Sequence, residues 1–143
     1  MTGVDEMRLR VLAEEELPPD KLEHSLRVAW LASRQGHSYA VVGMMHDMLE
    51  DSDVTQDELL SAGVSDDELV AIRLLTRGTE PYEDYIQHLA NSGNPLAISV
   101  KLCDLLDHLD PSLIAGLDKR KQSRYLSALP VMLDALRASM SVA

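Results

Sequence analysis

An all-α fold follows from three features of the sequence. Apolar residues recur at spacings of three and four. The breaks between these periodic segments carry helix start and stop signals. No segment alternates apolar and polar residues in the manner of a half-buried strand. Asp5 to Glu16 forms a first helix, closed by Leu17-Pro18-Pro19, because proline cannot continue a helix from the preceding turn. Asp20 can cap a second helix running through Arg34, with Gly36 as its terminator. Ser38 can cap a third, which passes through His46-Asp47 to about Glu50. Thr55-Gln56-Asp57-Glu58 and Ser65-Asp66-Asp67-Glu68 are capping boxes, each opening a helix, the second of which ends near Arg77-Gly78. Pro81 suits the first position of a sixth helix, Tyr82 to Ala90, and Asn91-Ser92-Gly93-Asn94 is a loop. Pro95 opens a seventh helix through about Leu109, which Pro111 stops. The last helix runs from about Asp118 to Ser139, kinked or split at Pro130. The sum is a compact bundle of about seven to eight irregularly packed helices.

The chain has 143 residues, one domain's worth with a single core, and no linker or repeat divides 1–143. There is no Phe, so Leu, Val, Ile, Ala and Met must build that core. Thirteen basic against 24 acidic residues give a net charge of −11, which argues against nucleic-acid or membrane-surface binding. An anionic substrate therefore needs a local positive feature, such as a metal. The single cysteine, Cys103, excludes an internal disulfide and fits a reducing compartment. No apolar run reaches membrane-spanning length, and the opening Met1-Thr2-Gly3-Val4-Asp5-Glu6 is polar. The expectation is a soluble, cytoplasmic protein.

Chemistry concentrates where polar groups interrupt apolar helices. Met44-Met45-His46-Asp47-Met48-Leu49-Glu50-Asp51 puts one imidazole and three carboxylates at the end of the apolar run Tyr39 to Met45. Such groups are costly in a buried segment unless compensated, and a divalent cation compensates both kinds. In Ile98 to His108, Asp104 and His108 share a face at i, i+4, with Lys101 one turn before Asp104. Asp104 reads either as the partner of Lys101 in a salt bridge or as a metal ligand with Lys101 beside it as a phosphate contact. His24 lies at the edge of an amphipathic helix and by itself reads as a surface or capping residue. Arg27, one turn on, could reach an anion near His24 or pair with Glu23. Taken together, two imidazoles and two carboxylates on three helices form a mixed nitrogen and oxygen set suited to a borderline first-row divalent metal. His37 reads as a solvated turn residue, His88 as a surface residue, and Lys119-Arg120-Lys121 with Arg124 as a small basic cluster, a solvated face that could also serve a phosphate.

The order His24, His46-Asp47, Asp104 resembles the HD superfamily of metal-dependent phosphohydrolases. Within it, His24-Ser25-Leu26-Arg27-Val28-Ala29, His46 to Ser52 and Val100-Lys101-Leu102-Cys103-Asp104-Leu105 resemble the hydrolase domain of the RelA/SpoT alarmone enzymes, over about His24 to Tyr125. Leu74-Leu75-Thr76 and Tyr82-Glu83-Asp84-Tyr85-Ile86 are similar to small stand-alone members of that group. The resemblance implies an HD-domain bundle with His24, His46, Asp47 and Asp104 as ligands of one divalent metal. Mn2+ comes first, with Co2+, Fe2+, Zn2+, Ni2+ and Mg2+ as alternatives. It implies Glu50 and Asp51 as the pair that activates or orients water. Arg27, Lys101 and His108 are the expected substrate contacts. The implied activity is hydrolysis of a phosphate ester or anhydride of a nucleotide, an alarmone-type substrate included. The alternatives are a nucleoside 5′-monophosphate phosphatase and a catalytically idle nucleotide-binding HD domain. Two positions depart from the alarmone hydrolases. Leu17 to Glu23 replaces their Arg-bearing, Gly-rich loop, and His108 stands where they carry Asn.

Overall fold

The computed structural model describes residues 3–140, so Met1 and Thr2, part of the polar opening, lie outside the described residues. It is all helical among these residues. Eight helices of six residues or more are joined by two single turns: α1 Gly3–Glu16, α2 Pro19–Ala32, α3 His37–Met45, α4 Met48–Asp51, α5 Gln56–Ser61, α6 Asp66–Leu75, α7 Tyr82–Asn91, α8 Pro95–His108, α9 Pro111–Ile114 and α10 Lys119–Met140. Both capping boxes form. Thr55 and Glu58, and Ser65 and Glu68, each satisfy the other's backbone N–H. Asn94 caps α8 by accepting from the Ala97 N–H at 3.0 Å, with Pro95 in the first helical position.

Several ends differ from the sequence expectation. Pro18, not Asp20, precedes α2, and Pro19 starts it with no side-chain cap. The α2 end tightens into a 3-10 turn, Ser33–Gln35, and Gly36 at φ 141° turns the chain into α3. Pro81 is the residue before α7 rather than its first. α10 runs through Pro130 unsplit.

The largest correction is the helix expected from Ser38 to Glu50, which breaks at His46-Asp47. His46 Nδ1 donates to the Gly43 carbonyl at 2.6 Å, the acceptor that a continuous helix offers to the Asp47 N–H. Asp47 takes φ −100°, ψ 0°, in the sparsely allowed bridge region, and its carbonyl accepts from the Asp51 N–H at 2.8 Å to start α4.

Helix α8 is the axis of the bundle, packed against α2, α3, α6, α7 and α10. Nine consecutive residues, Ala97 to Leu105, are buried. A 14-residue helix is marginal alone in water, so its packing decides. Side chains such as Ile98 and Leu105 contribute roughly 1.5–3 kcal/mol each on burial. Wrapped on all sides, α8 also carries Lys101, Asp104 and Asp107 into the interior, and each of them needs a partner there. Met44, Met45 and Met48 fill the core as read from the sequence.

Candidate metal centre

Three elements converge on one point. Helix α2 brings His24 and Arg27, the α3–α4 break brings His46, Asp47, Glu50 and Asp51, and α8 brings Lys101, Asp104 and His108. All nine side chains line a single pocket of about 500 Å³. The approach of α2 to α3 depends on Gly43. A Cβ there would lie 3.0 Å from Ala29 Cα and 3.2 Å from the Val28 carbonyl oxygen, both backbone atoms that cannot swing away.

Asp104 Oδ1 is the focus. It lies 2.7 Å from His24 Nε2, 3.5 Å from His46 Nε2 and 3.3 Å from His108 Nε2. Asp47 Oδ2 lies 3.2 Å from His46 Nε2 and 4.0 Å from His24 Nε2. Two ligands held at roughly 2.0–2.2 Å from one ion, at right angles, sit about 3 Å apart. The separations in the cluster, 2.7–4.0 Å, bracket that value.

His46 tests whether a cation fits. Its Nδ1 must donate to Gly43, since a carbonyl only accepts, so the neutral ring carries its lone pair on Nε2. That atom is buried and has no hydrogen-bond partner, yet it faces two carboxylate oxygens. Burial disfavours the charged ring, but Asp47 and Asp104 outweigh it and push the pKa well above the usual imidazole value. The negative field at Nε2 holds a positive charge there, and a divalent cation meets that demand as well as a proton does. Three overlapping groups have ligand atoms within 4.8 Å of one another: His24, His46 and Asp47; His24, Asp104 and His108; Asp47, Glu50 and Asp51.

The cluster is braced from behind. Asp107, buried on α8, takes His24 Nδ1 at 2.7 Å, Arg27 Nε at 2.7 Å and Arg27 Nη2 at 3.0 Å. This fixes the His24 tautomer with Nε2 toward the cluster, as a carboxylate behind a ligating imidazole does. Burial pushes the Asp107 carboxyl up, and the bonds from Arg27 and His24 hold it below its ordinary value. Lys101 Nζ lies 2.8 Å from Asp104 Oδ2, so the salt bridge read as one alternative is formed. Burial acts to lower the Lys101 pKa, and the Asp104 carboxylate reverses this and raises it well above the usual value. The Lys101 ammonium also sits 5.2 Å from the Tyr85 ring and 5.7 Å from the Tyr82 ring.

Glu50 and Asp51 stand at the rim. Glu50 accepts from the Arg77 N–H at 2.8 Å, and Asp51 pairs with Lys21 at 3.3 Å. Burial pushes the Glu50 pKa up, the Arg77 bond opposes this, and Asp47 and Asp51 push it further up.

Asp107, Tyr82 and Tyr125, which the sequence did not single out for the site, line the pocket. One signal was available. His24 and Arg27 lie one turn apart and together need a buried acid, and Asp107 is the acid one turn after Asp104. A second is compositional: three of the four tyrosines, in a chain without Phe, gather here. The basic cluster contributes Lys121 and Arg124 to the wall. His88 is exposed, as expected, and His37 is half-buried rather than solvated.

No protein-family model matches the sequence, and no curated protein matches it. Among solved structures, the chain is similar to one described as a metazoan orthologue of SpoT that hydrolyses ppGpp and plays a role in starvation responses. The two agree with a TM-score of 0.76 at 19% identity, over 97% of this chain and 89% of that one. The likeness is one of fold: this chain shares the helical fold of that structure over nearly its whole length. No helix among the described residues is long and apolar enough to cross a membrane.

Proposed function

We propose that this chain is a metal-dependent phosphohydrolase acting on a phosphate ester or anhydride of a nucleotide. One divalent metal would be held by His24, His46, Asp47 and Asp104. The observation that carries the reading is the buried, unpartnered Nε2 of His46 between two carboxylate oxygens. When bound, the cation supplies Lewis acidity toward a phosphoryl oxygen and makes water more acidic.

The chain's own groups do the rest. Glu50 takes the proton of the attacking water, and its raised pKa brings it nearer the operating pH, where a general base works best. Asp51, anchored by Lys21, orients that water or Glu50. Lys101 and Arg27 receive phosphoryl oxygens, with Arg27 held in place through Nε and Nη2 on Asp107 and keeping Nη1 for the substrate. The walls offset locally the negative charge that the chain carries overall. The pocket is lined by six basic side chains, Lys21, Arg27, Arg77, Lys101, Lys121 and Arg124, against six acidic ones. The chain as a whole has 13 against 24. A bound dication makes that balance positive. The fold neighbour's hydrolysis of ppGpp supports an alarmone-type nucleotide as the first substrate to try.

The test is a chelator-stripped protein reloaded with Mn2+, Co2+, Fe2+, Zn2+, Ni2+ or Mg2+ and offered ppGpp and the nucleoside 5′-monophosphates. Pyrophosphate release from ppGpp supports an alarmone-type hydrolase. Phosphate release from monophosphates alone shifts the reading to a nucleotidase. Tight metal and nucleotide binding with no release from any substrate overturns the hydrolase reading.

A further inference from the structure

We propose that His108 is a third imidazole ligand, so that the centre binds its cation through His24, His46, His108, Asp47 and Asp104. The inference rests on the reading of this cluster as a divalent-metal site, and it concerns which of the chain's groups enter the shell.

Three observations carry it. The first is aim. His108 Nε2 lies 3.3 Å from Asp104 Oδ1, the same oxygen that His24 Nε2 meets at 2.7 Å and His46 Nε2 at 3.5 Å. His108 thus stands closer to the focal oxygen than His46 does. One ligand atom each from His108, His24 and Asp104 also lie within 4.8 Å of one another. The second is rigidity. The His108 ring is stacked between His24, with centroids 4.4 Å apart and planes at 25°, and Tyr125, at 4.5 Å and 10°. Both faces are covered, so the ring plane is fixed and the edge bearing Nε2 points at the cluster. The third is sufficiency elsewhere. Asp104 is already held by the Lys101 ammonium, which donates to Oδ2 at 2.8 Å. It needs no further donor to hold its position. A ring locked on both faces and directed at that oxygen is placed to ligate rather than to follow a substrate phosphate.

A third imidazole changes the metal. Carboxylate and water shells suit Mg2+ and Mn2+, whereas imidazole nitrogen suits Fe2+, Co2+, Ni2+ and Zn2+. With three nitrogens and two carboxylates, the centre prefers the latter group over Mn2+.

The chain's five histidines make a direct test practical. The 15N-labelled, chelator-stripped full chain is loaded with one equivalent of 113Cd2+, and one-bond coupling between cadmium and each imidazole nitrogen is read by NMR. Splitting at Nε2 of His24, His46 and His108, with His37 and His88 unsplit, is the expected result. Splitting at His24 and His46 alone overturns the proposal and leaves the metal site standing. No splitting at any histidine overturns both. Calorimetry of His108→Asn with Co2+ and Mn2+ supplies a second readout. Loss of an imidazole ligand weakens Co2+ by a larger factor than Mn2+, while equal losses mark a merely supporting ring and overturn the assignment. The cadmium spectrum uses the wild-type protein, so it decides the matter even if the variant fails to fold.

Discussion

Asp107→Asn is the substitution that best separates a built metal site from an incidental cluster of polar groups. Asp107 is 6% exposed and accepts three hydrogen bonds, from His24 Nδ1, Arg27 Nε and Arg27 Nη2, at 2.7–3.0 Å. Asparagine keeps the shape but offers one acceptor oxygen, and its amide nitrogen can only donate. Either His24 or Arg27 must then face a donor. The loss of charge-assisted bonding to a buried group costs about 1.5–3 kcal/mol. For a domain of this size that lowers Tm by roughly 5–12 °C. The effect on the metal is separate. Without Asp107 as a carboxylate, His24 Nδ1 competes with Arg27 for a single neutral acceptor, and the proton is held on Nδ1 less firmly, so the Nε2 lone pair is less reserved for the cation. Loss of such a partner weakens metal binding by roughly 10–100-fold. Calorimetric titration of the stripped protein with Mn2+ gives the affinity, and thermal melts give the stability. Arg27→Ala is the control. It removes the half-exposed guanidinium and leaves Asp107 on His24, so it should keep the metal affinity and raise KM for substrate. If Asp107→Asn loses stability but binds Mn2+ within about twofold of wild type, the carboxylate has no role in setting the His24 tautomer.

Other substitutions probe the remaining parts. Asp47→Ala should abolish metal binding and hydrolysis together, read by elemental analysis beside the rate. Glu50→Gln should keep the metal and lose on the order of 10²–10⁴ in kcat, and a metal-free Glu50→Gln protein would move Glu50 into the ligand shell. Gly43→Ala forces a methyl to within 3.0 Å of Ala29 Cα, so it should cost about 1–3 kcal/mol and weaken metal binding by displacing α2 from α3. A variant as stable and as easily loaded as wild type would show that the crossing can open freely. Chelator treatment should lower Tm, because a ligand at 100 times its Kd stabilises the folded state by about 2.7 kcal/mol. A melting curve indifferent to chelator and to added Mn2+ would count against the site.

The helices were readable because their ends are chemical. Thr55 with Glu58, Ser65 with Glu68, and Asn94 before Pro95 are local arrangements that tertiary packing had no reason to override. The ligand candidates were readable because acids and imidazoles inside apolar runs demand compensation. What joins them was less readable. Asp107 follows Leu105 and Leu106 near the end of α8, and sequence position alone does not say that α2 lies against that face. The tyrosine stack onto His108 depends on the crossing of α10 over α8, a contact between residues 17 positions apart, His108 and Tyr125. Arg27 was assigned to an anion or to Glu23, and the structure pairs it with Asp107. Helix spacing showed the neighbours on its own helix and could not show the acid that α8 brings from 80 residues away.

The break between α3 and α4 explains why a histidine and the aspartate beside it can serve one centre. On a continuous helix, consecutive side chains diverge by about 100°, so His46 and Asp47 would point to different neighbours. Here His46 Nε2 and Asp47 Oδ2 are 3.2 Å apart. The Nδ1 bond to Gly43 draws the imidazole back over the last turn of α3, and the bridge-region backbone at Asp47 swings its carboxylate toward the same space. The chain then restarts as α4 from the Asp47 carbonyl. Glu50 and Asp51 are thereby set one turn beyond Asp47, with ligand atoms within 4.8 Å of its own. The sequence expectation carried His46, Asp47 and Glu50 on one unbroken helix. The observed geometry is the more economical one, because a single local distortion sets two proposed ligands and the proposed water-activating pair. It also explains the position of Gly43, which supplies both the carbonyl that holds His46 and the surface without a side chain that lets α2 carry His24 up to it.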